Sequence, residues 1–133
     1  MNEPFFRRIA AGVRRILGAA DAGGAARPTA IDALAAKARV DDGRAILVDI
    51  REPGEVAVER IPGAVLLPLS LIAAGASLGE TGAKAAIFLC RSGARTSLHA
   101  GRLQRLCAGE VYLLRGGIMA WKVKGLPMAK GRN

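Results

Sequence analysis

The sequence predicts an α/β domain whose parallel sheet is covered by helices on both faces. Short runs such as Ala45–Asp49 and Ala85–Leu89 are apolar at successive positions, which is typical of strands buried on both faces. These runs alternate with segments of helical spacing, and that alternation is the pattern of a parallel sheet covered by helices.

The first helix is predicted over residues 29–38. Thr29 fits the N-cap position and Asp32 the first turn. Helical spacing relates four apolar positions in this segment, namely Ile31, Leu34, Ala35 and Ala38.

The remaining elements are assigned from apolar runs for strands, and from spacing and flanking glycines for helices. They are strands at 45–49 and 64–67, a helix at 69–77, a turn at 79–82, a strand at 85–89, a helix at 96–108, a strand at 111–114 and a helix at 118–123. Gly109 is well placed to end the long helix. Asp49 and Cys90 lie at the carboxyl ends of strands, where ligands bind in such sheets.

Residues 1–28 are assigned to a separate N-terminal segment, a basic amphipathic helix with a linker at 21–28, and residues 29–133 to the domain. In helical projection, six apolar side chains lie on one side and four arginines lie opposite. The two sets are Phe5, Phe6, Ile9, Val13, Ile16 and Leu17, and Arg7, Arg8, Arg14 and Arg15. The helix could pack on its own domain or a second copy, lie on an anionic membrane surface, bind a partner or act as a targeting peptide. The sequence leaves monomer and homodimer open.

The cysteine count and the hydropathy pattern restrict the class of protein. A chain of 133 residues fits one domain with a core of its own. The two cysteines, Cys90 and Cys107, argue for a reducing compartment, taken to be the cytoplasm, and against a disulfide scaffold. No apolar run approaches the roughly 20 residues needed to cross a bilayer.

The net charge of +9 is concentrated in the last third of the chain. Residues 1–90 hold 11 basic and 10 acidic side chains, whereas residues 91–133 hold 9 and 1. A positive field in the part of the chain that follows Cys90 would concentrate small anionic substrates. Nucleic acid is not expected as a partner, because one Trp, one Tyr and three Phe are too few for a stacking surface.

The segment from Cys90 to Thr96 carries the most specific chemistry. A strand delivers the thiol to the start of a helix, where unsatisfied backbone N–H groups and nearby cations stabilise a thiolate. Small residues let the loop curl so that several amides can point at one anion. The expected anion cradle consists of Arg91, Ser92, Gly93, Ala94, Arg95 and Thr96.

Three blocks of this sequence resemble the rhodanese family of sulfurtransferases. The first is Val48-Asp49-Ile50-Arg51-Glu52, followed by Glu55 and by Ile61-Pro62-Gly63-Ala64; the second is the Cys90 loop; the third is Arg115-Gly116-Gly117-Ile118-Met119-Ala120-Trp121, followed by Gly125-Leu126-Pro127. They lie in family order over about residues 29 to 130. Arg60 stands where many members have His. The resemblance implies a rhodanese-like fold with a central parallel sheet of about five strands.

The length of the loop distinguishes sulfur transfer from phosphatase chemistry. A related phosphatase loop places five residues between its Cys and its Arg, whereas here Arg95 follows Cys90 after four. Thr96 stands where the phosphatase Arg would be required. The shorter loop favours a cradle for one sulfur over a cradle for a phosphate.

The resemblance implies a sulfurtransferase that carries a persulfide on Cys90 between a donor such as thiosulfate and a cyanide, thiol or thioredoxin-like acceptor. No metal and no other cofactor is expected. Asp49 and Arg51 are expected to be supporting, structural residues. Two alternatives stay open: a noncatalytic partner-binding or redox-sensing module, and sulfur delivery to tRNA or a carrier protein.

The roles of three further side chains are predicted from their places in or after the loop. Arg95 could contact substrate or hold the loop by pairing with a carboxylate. His99 is expected to be a surface residue rather than a base. Cys107 is expected in the core, because a helix from Thr96 would place it roughly 16 Å from the loop.

Overall fold

A computed structural model describes residues 27–82 and 84–131 of the chain. In chain order its elements are β1 (Thr29–Ile31), α1 (Ala33–Asp41), β2 (Ala45–Asp49), α2 (Pro53–Val58), β3 (Glu59–Arg60), β4 (Val65–Leu66), α3 (Leu69–Ala73), β5 (Ala85–Leu89), α4 (Ala94–Leu98), α5 (Ala100–Gln104), β6 (Val111–Leu114), α6 (Gly117–Val123) and β7 (Ala129–Lys130).

The centre of the fold is a parallel sheet of five strands in the order β1-β6-β5-β2-β4. β5 lies in the middle, and all five of its residues are buried, because both of its faces are covered. Asp49 pairs with Leu89 in the register of β2 and β5, so Asp49 and Cys90 lie at the same edge of the sheet. The predicted parallel sheet of about five strands is confirmed.

Helices pack on both faces of the sheet, as predicted, because successive side chains of a strand point to opposite faces. On one face Phe88 packs in a cluster that includes Ile72 of α3 and Leu103 of α5. On the other, Ile87 packs in a cluster that includes Ala36 of α1 and Trp121 of α6. The two clusters hold the carboxyl edge of the sheet between the helices.

The prediction of a helix starting at Thr29 is wrong. Thr29–Ile31 is instead the edge strand β1, paired with Tyr112–Leu114 of β6. Asp32 is the N-cap of α1, and its carboxylate accepts a hydrogen bond of 2.8 Å from the N–H of Ala35. The buried face of α1 is therefore formed by Ala33 and Ala36, whereas Leu34 is half exposed.

The single long helix predicted over 96–108 is also wrong. The chain forms two short helices, α4 and α5, which meet at His99, where the backbone has φ −106° and ψ 20°. Gly101, just after this break, lowers the helix propensity of the segment. The helix predicted over 69–77 ends early, at Ala73 in α3.

The predicted amphipathic helix before the linker at 21–28 lies outside the described residues. A two-stranded antiparallel ribbon of β3 and β7, with Glu59 opposite Lys130, has no counterpart in the predicted elements. Among residues 27–82 and 84–131, no helix is both long and apolar enough to span a bilayer.

Candidate active site

Cys90 directly follows β5 and is completely buried. The chain turns sharply after it, because Gly93 adopts a left-handed φ of +98° that favours glycine. The N–H of Gly93 consequently points back and donates to the Sγ of Cys90 over 3.1 Å. A backbone N–H can only donate, so this contact stabilises negative charge on the sulfur.

Thr96 provides a second polar group near the sulfur. Its buried hydroxyl lies 3.9 Å from the Sγ of Cys90 and donates to the carbonyl of Gly93 over 3.1 Å. The N–H of Gly93 and the hydroxyl of Thr96, three and six positions after Cys90, thus both lie next to the thiol.

Arg95 forms a two-pronged ion pair with Glu55 of α2. Its two terminal nitrogens lie 2.8 and 2.9 Å from the carboxylate oxygens, and the same carboxylate accepts from the N–H of Glu52 over 3.1 Å. The hydrogen bond from Arg95, helped by that from Glu52, lowers the pKa of Glu55 to about 2 against the opposing effect of burial. The bond to Glu55 raises the pKa of Arg95. The pair ties α4, which follows the loop, to α2.

Asp49 and Arg51 form a buried pair at the end of β2. The guanidinium contacts both carboxylate oxygens, with its closest terminal nitrogen 2.9 Å away, and the N–H of Arg51 also donates to Asp49 over 3.0 Å. Arg51 reaches further, to the carbonyl of Glu59 at 2.8 Å. The pair therefore joins the sheet edge next to Cys90 to the far end of α2, the helix that carries Glu55.

A contact that sequence reasoning missed joins the Cys90 loop to the start of α6. The N–H of Ile118 donates to the carbonyl of Cys90 over 2.9 Å, and the N–H of Met119 donates to the carbonyl of Arg91 over 3.1 Å. The adjacent glycines Gly116 and Gly117 were visible in the third block of the resemblance, but their partner in space was not.

The other candidate side chains lie around or away from the sulfur. Arg91 and Ser92 are exposed, and the Ser92 hydroxyl accepts a 3.4 Å bond from the N–H of Ala94. His99 is partly buried at the junction of α4 and α5. Cys107 is buried in the core cluster that contains Phe88, and burial raises the pKa of its thiol. Within the described residues no three His, Cys, Asp or Glu side chains are grouped to hold a metal ion.

Relatives and solved structures resemble this chain over most of the described domain. A sulfurtransferase from Allochromatium vinosum is 43% identical over 83 residues, which are 62% of this chain and 77% of that protein. A probable adenylyltransferase/sulfurtransferase, MoeZ, from Mycobacterium tuberculosis is 32% identical over 76% of this chain but only 26% of its own length.

Two solved structures share the fold. The thiosulfate sulfurtransferase from Pseudomonas aeruginosa superposes with a TM-score of 0.64 and 24% identity, over 79% of this chain and 20% of that one. A rhodanese-related protein from Thermoplasma volcanium superposes with a TM-score of 0.62 and 22% identity, over 76% of this chain and 97% of that one.

The family model of the rhodanese-like domain matches residues 32–124, which include four of the five strands of the sheet, the Cys90 loop and α6. This chain therefore belongs to the rhodanese-like domain family.

Proposed function

We propose that the protein is a sulfurtransferase that moves a sulfane sulfur through a persulfide on Cys90. The Cys90 thiolate attacks the outer sulfur of thiosulfate, the S–S bond of the donor breaks, and sulfite leaves with the bonding electron pair. Cyanide or a thiolate then attacks the outer sulfur of the persulfide. This second step releases thiocyanate or a new persulfide and regenerates the Cys90 thiolate. No metal and no further cofactor takes part in either step.

The observation that carries this proposal is the hydrogen bond of 3.1 Å from the N–H of Gly93 to the Sγ of Cys90. A thiolate needs a donor at the sulfur, and a fixed backbone amide supplies one without reorganisation during the reaction. The other amides of residues 91–96 would hold the outer sulfur and its charge in the same way. The relatives named as sulfurtransferases support this chemistry.

Small anionic donors fit this site better than bulky ones. Cys90 has no exposed surface, so a reagent must pass the surrounding loop to reach the sulfur, which favours a small one. Arg91 is exposed beside the thiol, and residues 91–133 carry nearly all of the excess positive charge. Thiosulfate is small and doubly negative, and it would be attracted by that field. For the acceptor we propose cyanide, a small thiol or a thioredoxin-like protein, in the reducing cytoplasm.

The test is the mass of the intact protein after incubation with thiosulfate and then with cyanide, for the wild type and Cys90→Ser in parallel. We expect the wild type alone to gain the mass of one sulfur, about 32 Da, and cyanide to remove it. A folded Cys90→Ser variant that turns over thiosulfate at the wild-type rate would contradict the assignment of Cys90.

Further donors and a salt series separate the alternatives. If the folded wild type takes no sulfur from thiosulfate, polysulfide or a persulfide, the domain is better described as a partner-binding or redox-sensing module. Delivery to tRNA or to a carrier protein would show as transfer that salt abolishes steeply while turnover with thiosulfate and cyanide is less affected.

A further inference from the structure

Two consecutive glycines at the start of α6 lie against the backbone of the Cys90 loop. Gly116 and Gly117 both have left-handed φ angles, of +75° and +58°. A Cβ on Gly117 would overlap the carbonyl oxygen of Cys90 and would lie 2.6 Å from the carbonyl oxygen of Arg91. Only glycine therefore allows α6 to approach the loop this closely.

The close approach produces a specific pair of hydrogen bonds. The free N–H groups of the first turn of α6 meet carbonyls of the loop, with Ile118 bonded to Cys90 and Met119 bonded to Arg91. These two carbonyls are thereby fixed on the side of the loop that faces α6.

Fixing a carbonyl also fixes the N–H of the same peptide group. In a trans peptide the two groups point in opposite directions, and none of the described peptide bonds is cis. The carbonyl of Cys90 shares its peptide with the N–H of Arg91, and the carbonyl of Arg91 shares its peptide with the N–H of Ser92. Both N–H groups must therefore point away from α6.

We propose that the first turn of α6 aims the Arg91 and Ser92 amides at the sulfur that Cys90 transfers. Gly117, Ile118 and Met119 are positioning residues in this account, because they act only through the loop backbone. This inference rests on the proposed function, and it assigns to the Gly116-Gly117 block a role in the anion cradle that is separate from packing.

A first pair of variants tests the close approach. Gly117→Ala inserts a methyl group against the loop carbonyls. Gly125→Ala is the matched control, because Gly125 follows the other end of α6, has a similar φ of +72° and has no atom within 4 Å of an added Cβ. Both changes strain the backbone alike, but only the first displaces the loop. In rapid-mixing measurements with saturating thiosulfate, we expect Gly117→Ala to form the persulfide about 100-fold more slowly, and Gly125→Ala to stay within about threefold of the wild type.

A second pair removes one of the two hydrogen bonds, because the Cδ of a proline takes the place of the N–H and pushes the Arg91 carbonyl away from α6. Met119→Pro lacks the N–H that binds the Arg91 carbonyl, and proline is tolerated in the first turn of a helix. Met119→Ala shortens the same half-exposed side chain but keeps the N–H. We expect persulfide formation to be about tenfold slower in the proline variant than in the alanine variant. If Gly117→Ala does not fold, the comparison of Met119→Pro with Met119→Ala still tests whether α6 positions the loop amides.

The alkylation rate of Cys90 does not depend on sulfur transfer, and it distinguishes a change in the direction of the loop amides from a general loss of structure. Iodoacetate is an anion and iodoacetamide is neutral, and both alkylate Cys90 through its thiolate. Misaimed amides should reduce the ratio of the iodoacetate rate to the iodoacetamide rate by about tenfold in Gly117→Ala, whereas loosened packing would change both rates together.

Equal ratios and equal loading rates in Gly117→Ala and Gly125→Ala, with both variants folded, would overturn the inference. If the wild type takes sulfur from no donor, the proposed function fails, but the alkylation ratio still tests the aiming of the amides.

Discussion

The guanidinium of Arg95 binds the carboxylate of Glu55 through two hydrogen bonds of 2.8 and 2.9 Å, although the two residues are 40 positions apart in the chain. The bonds use both terminal nitrogens of Arg95. The pair uses two of the five N–H donors of the guanidinium and fixes the direction in which the other three point. Its position is better suited to holding the end of the loop than to binding the donor.

Arg95→Ala should therefore impair all sulfur donors to the same degree. We expect kcat/KM to fall about tenfold with both thiosulfate and an uncharged polysulfide, because the loop loses its tie to α2. Glu55→Gln should give a similar loss, and the double variant should be no worse than either single variant. A loss confined to thiosulfate would instead place Arg95 at the anionic substrate.

The same pair predicts how stability depends on pH. The pKa of Glu55 is lowered from 4.5 to about 2 in the folded protein, so its stabilisation is fully present above pH 4.5 and is lost as the pH falls toward 2. Glu55→Gln should therefore be less stable than the wild type at pH 7, and the difference should shrink toward pH 2. Urea unfolding of both proteins between pH 7 and 2 measures this. Because both side chains are about one third exposed, solvent screening keeps the effect small. A difference that stays constant with pH would rule out this ion pair as its cause.

The strands that build the centre of the sheet could be predicted from local sequence, because β5 and most of β2 are buried and read as apolar runs. The edge strand β1 could not. Its first two residues, Thr29 and Ala30, are exposed, and only the pairing with β6 about 80 positions later makes it a strand. The break between α4 and α5 was missed because a glycine inside a helical segment, such as Gly101, does not by itself mark a helix end.

In the candidate site, too, the local part could be predicted from the sequence and the long-range contacts could not. Cys90 and its loop are contiguous, so spacing alone could single them out. The partners of the loop come from distant segments, since Glu55 binds Arg95 and the N–H of Ile118 binds the Cys90 carbonyl. The first block of the resemblance includes Glu55, but nothing local in the sequence shows that Arg95 is its partner. Likewise, the glycine pair before Ile118 indicates a close approach without showing which segment approaches.

Arg51→Met should destabilise the fold strongly, because it leaves the carboxylate of Asp49 buried without its cation. Loss of one partner of a buried pair costs about 3 to 5 kcal/mol in the free energy of unfolding. Lys37→Met is the control, because Lys37 lies 2.7 Å from Asp41 in an exposed pair one helical turn apart, where the expected loss is at most about 0.5 kcal/mol. Urea denaturation measures both. Equal small losses would mean that the buried Asp49 carboxylate is compensated without Arg51.

Cys107 should be unreactive in the native protein. Burial raises the pKa of its thiol in spite of hydrogen bonds with Gly109 and Thr81, so little thiolate is available at neutral pH. Cys90 is also buried, but its sulfur accepts the N–H of Gly93 and lies in the loop that is built to hold an anion. Peptide mapping after a short treatment with iodoacetamide should find the label on Cys90 and not on Cys107. Cys107→Ala should leave persulfide formation unchanged while lowering stability through the lost packing. Labelling of Cys107 at the rate of Cys90 under native conditions would contradict its placement in the core.

The exposed cation beside the thiol predicts a salt-dependent rate. Arg91→Gln should lower kcat/KM for thiosulfate several-fold at low ionic strength, because a charge near the sulfur steers the dianion toward it. The effect should nearly vanish at about 1 M salt, where the screening length is about 3 Å. Lys84→Gln makes the same change of charge at the opposite end of β5, roughly 20 Å away along the strand, and should have little effect at about 0.1 M salt. Steady-state rates of both variants across a salt series give the comparison. If Arg91→Gln and Lys84→Gln lose activity equally, the overall charge of the protein attracts the donor; if the loss in Arg91→Gln persists at high salt, Arg91 contacts the substrate directly.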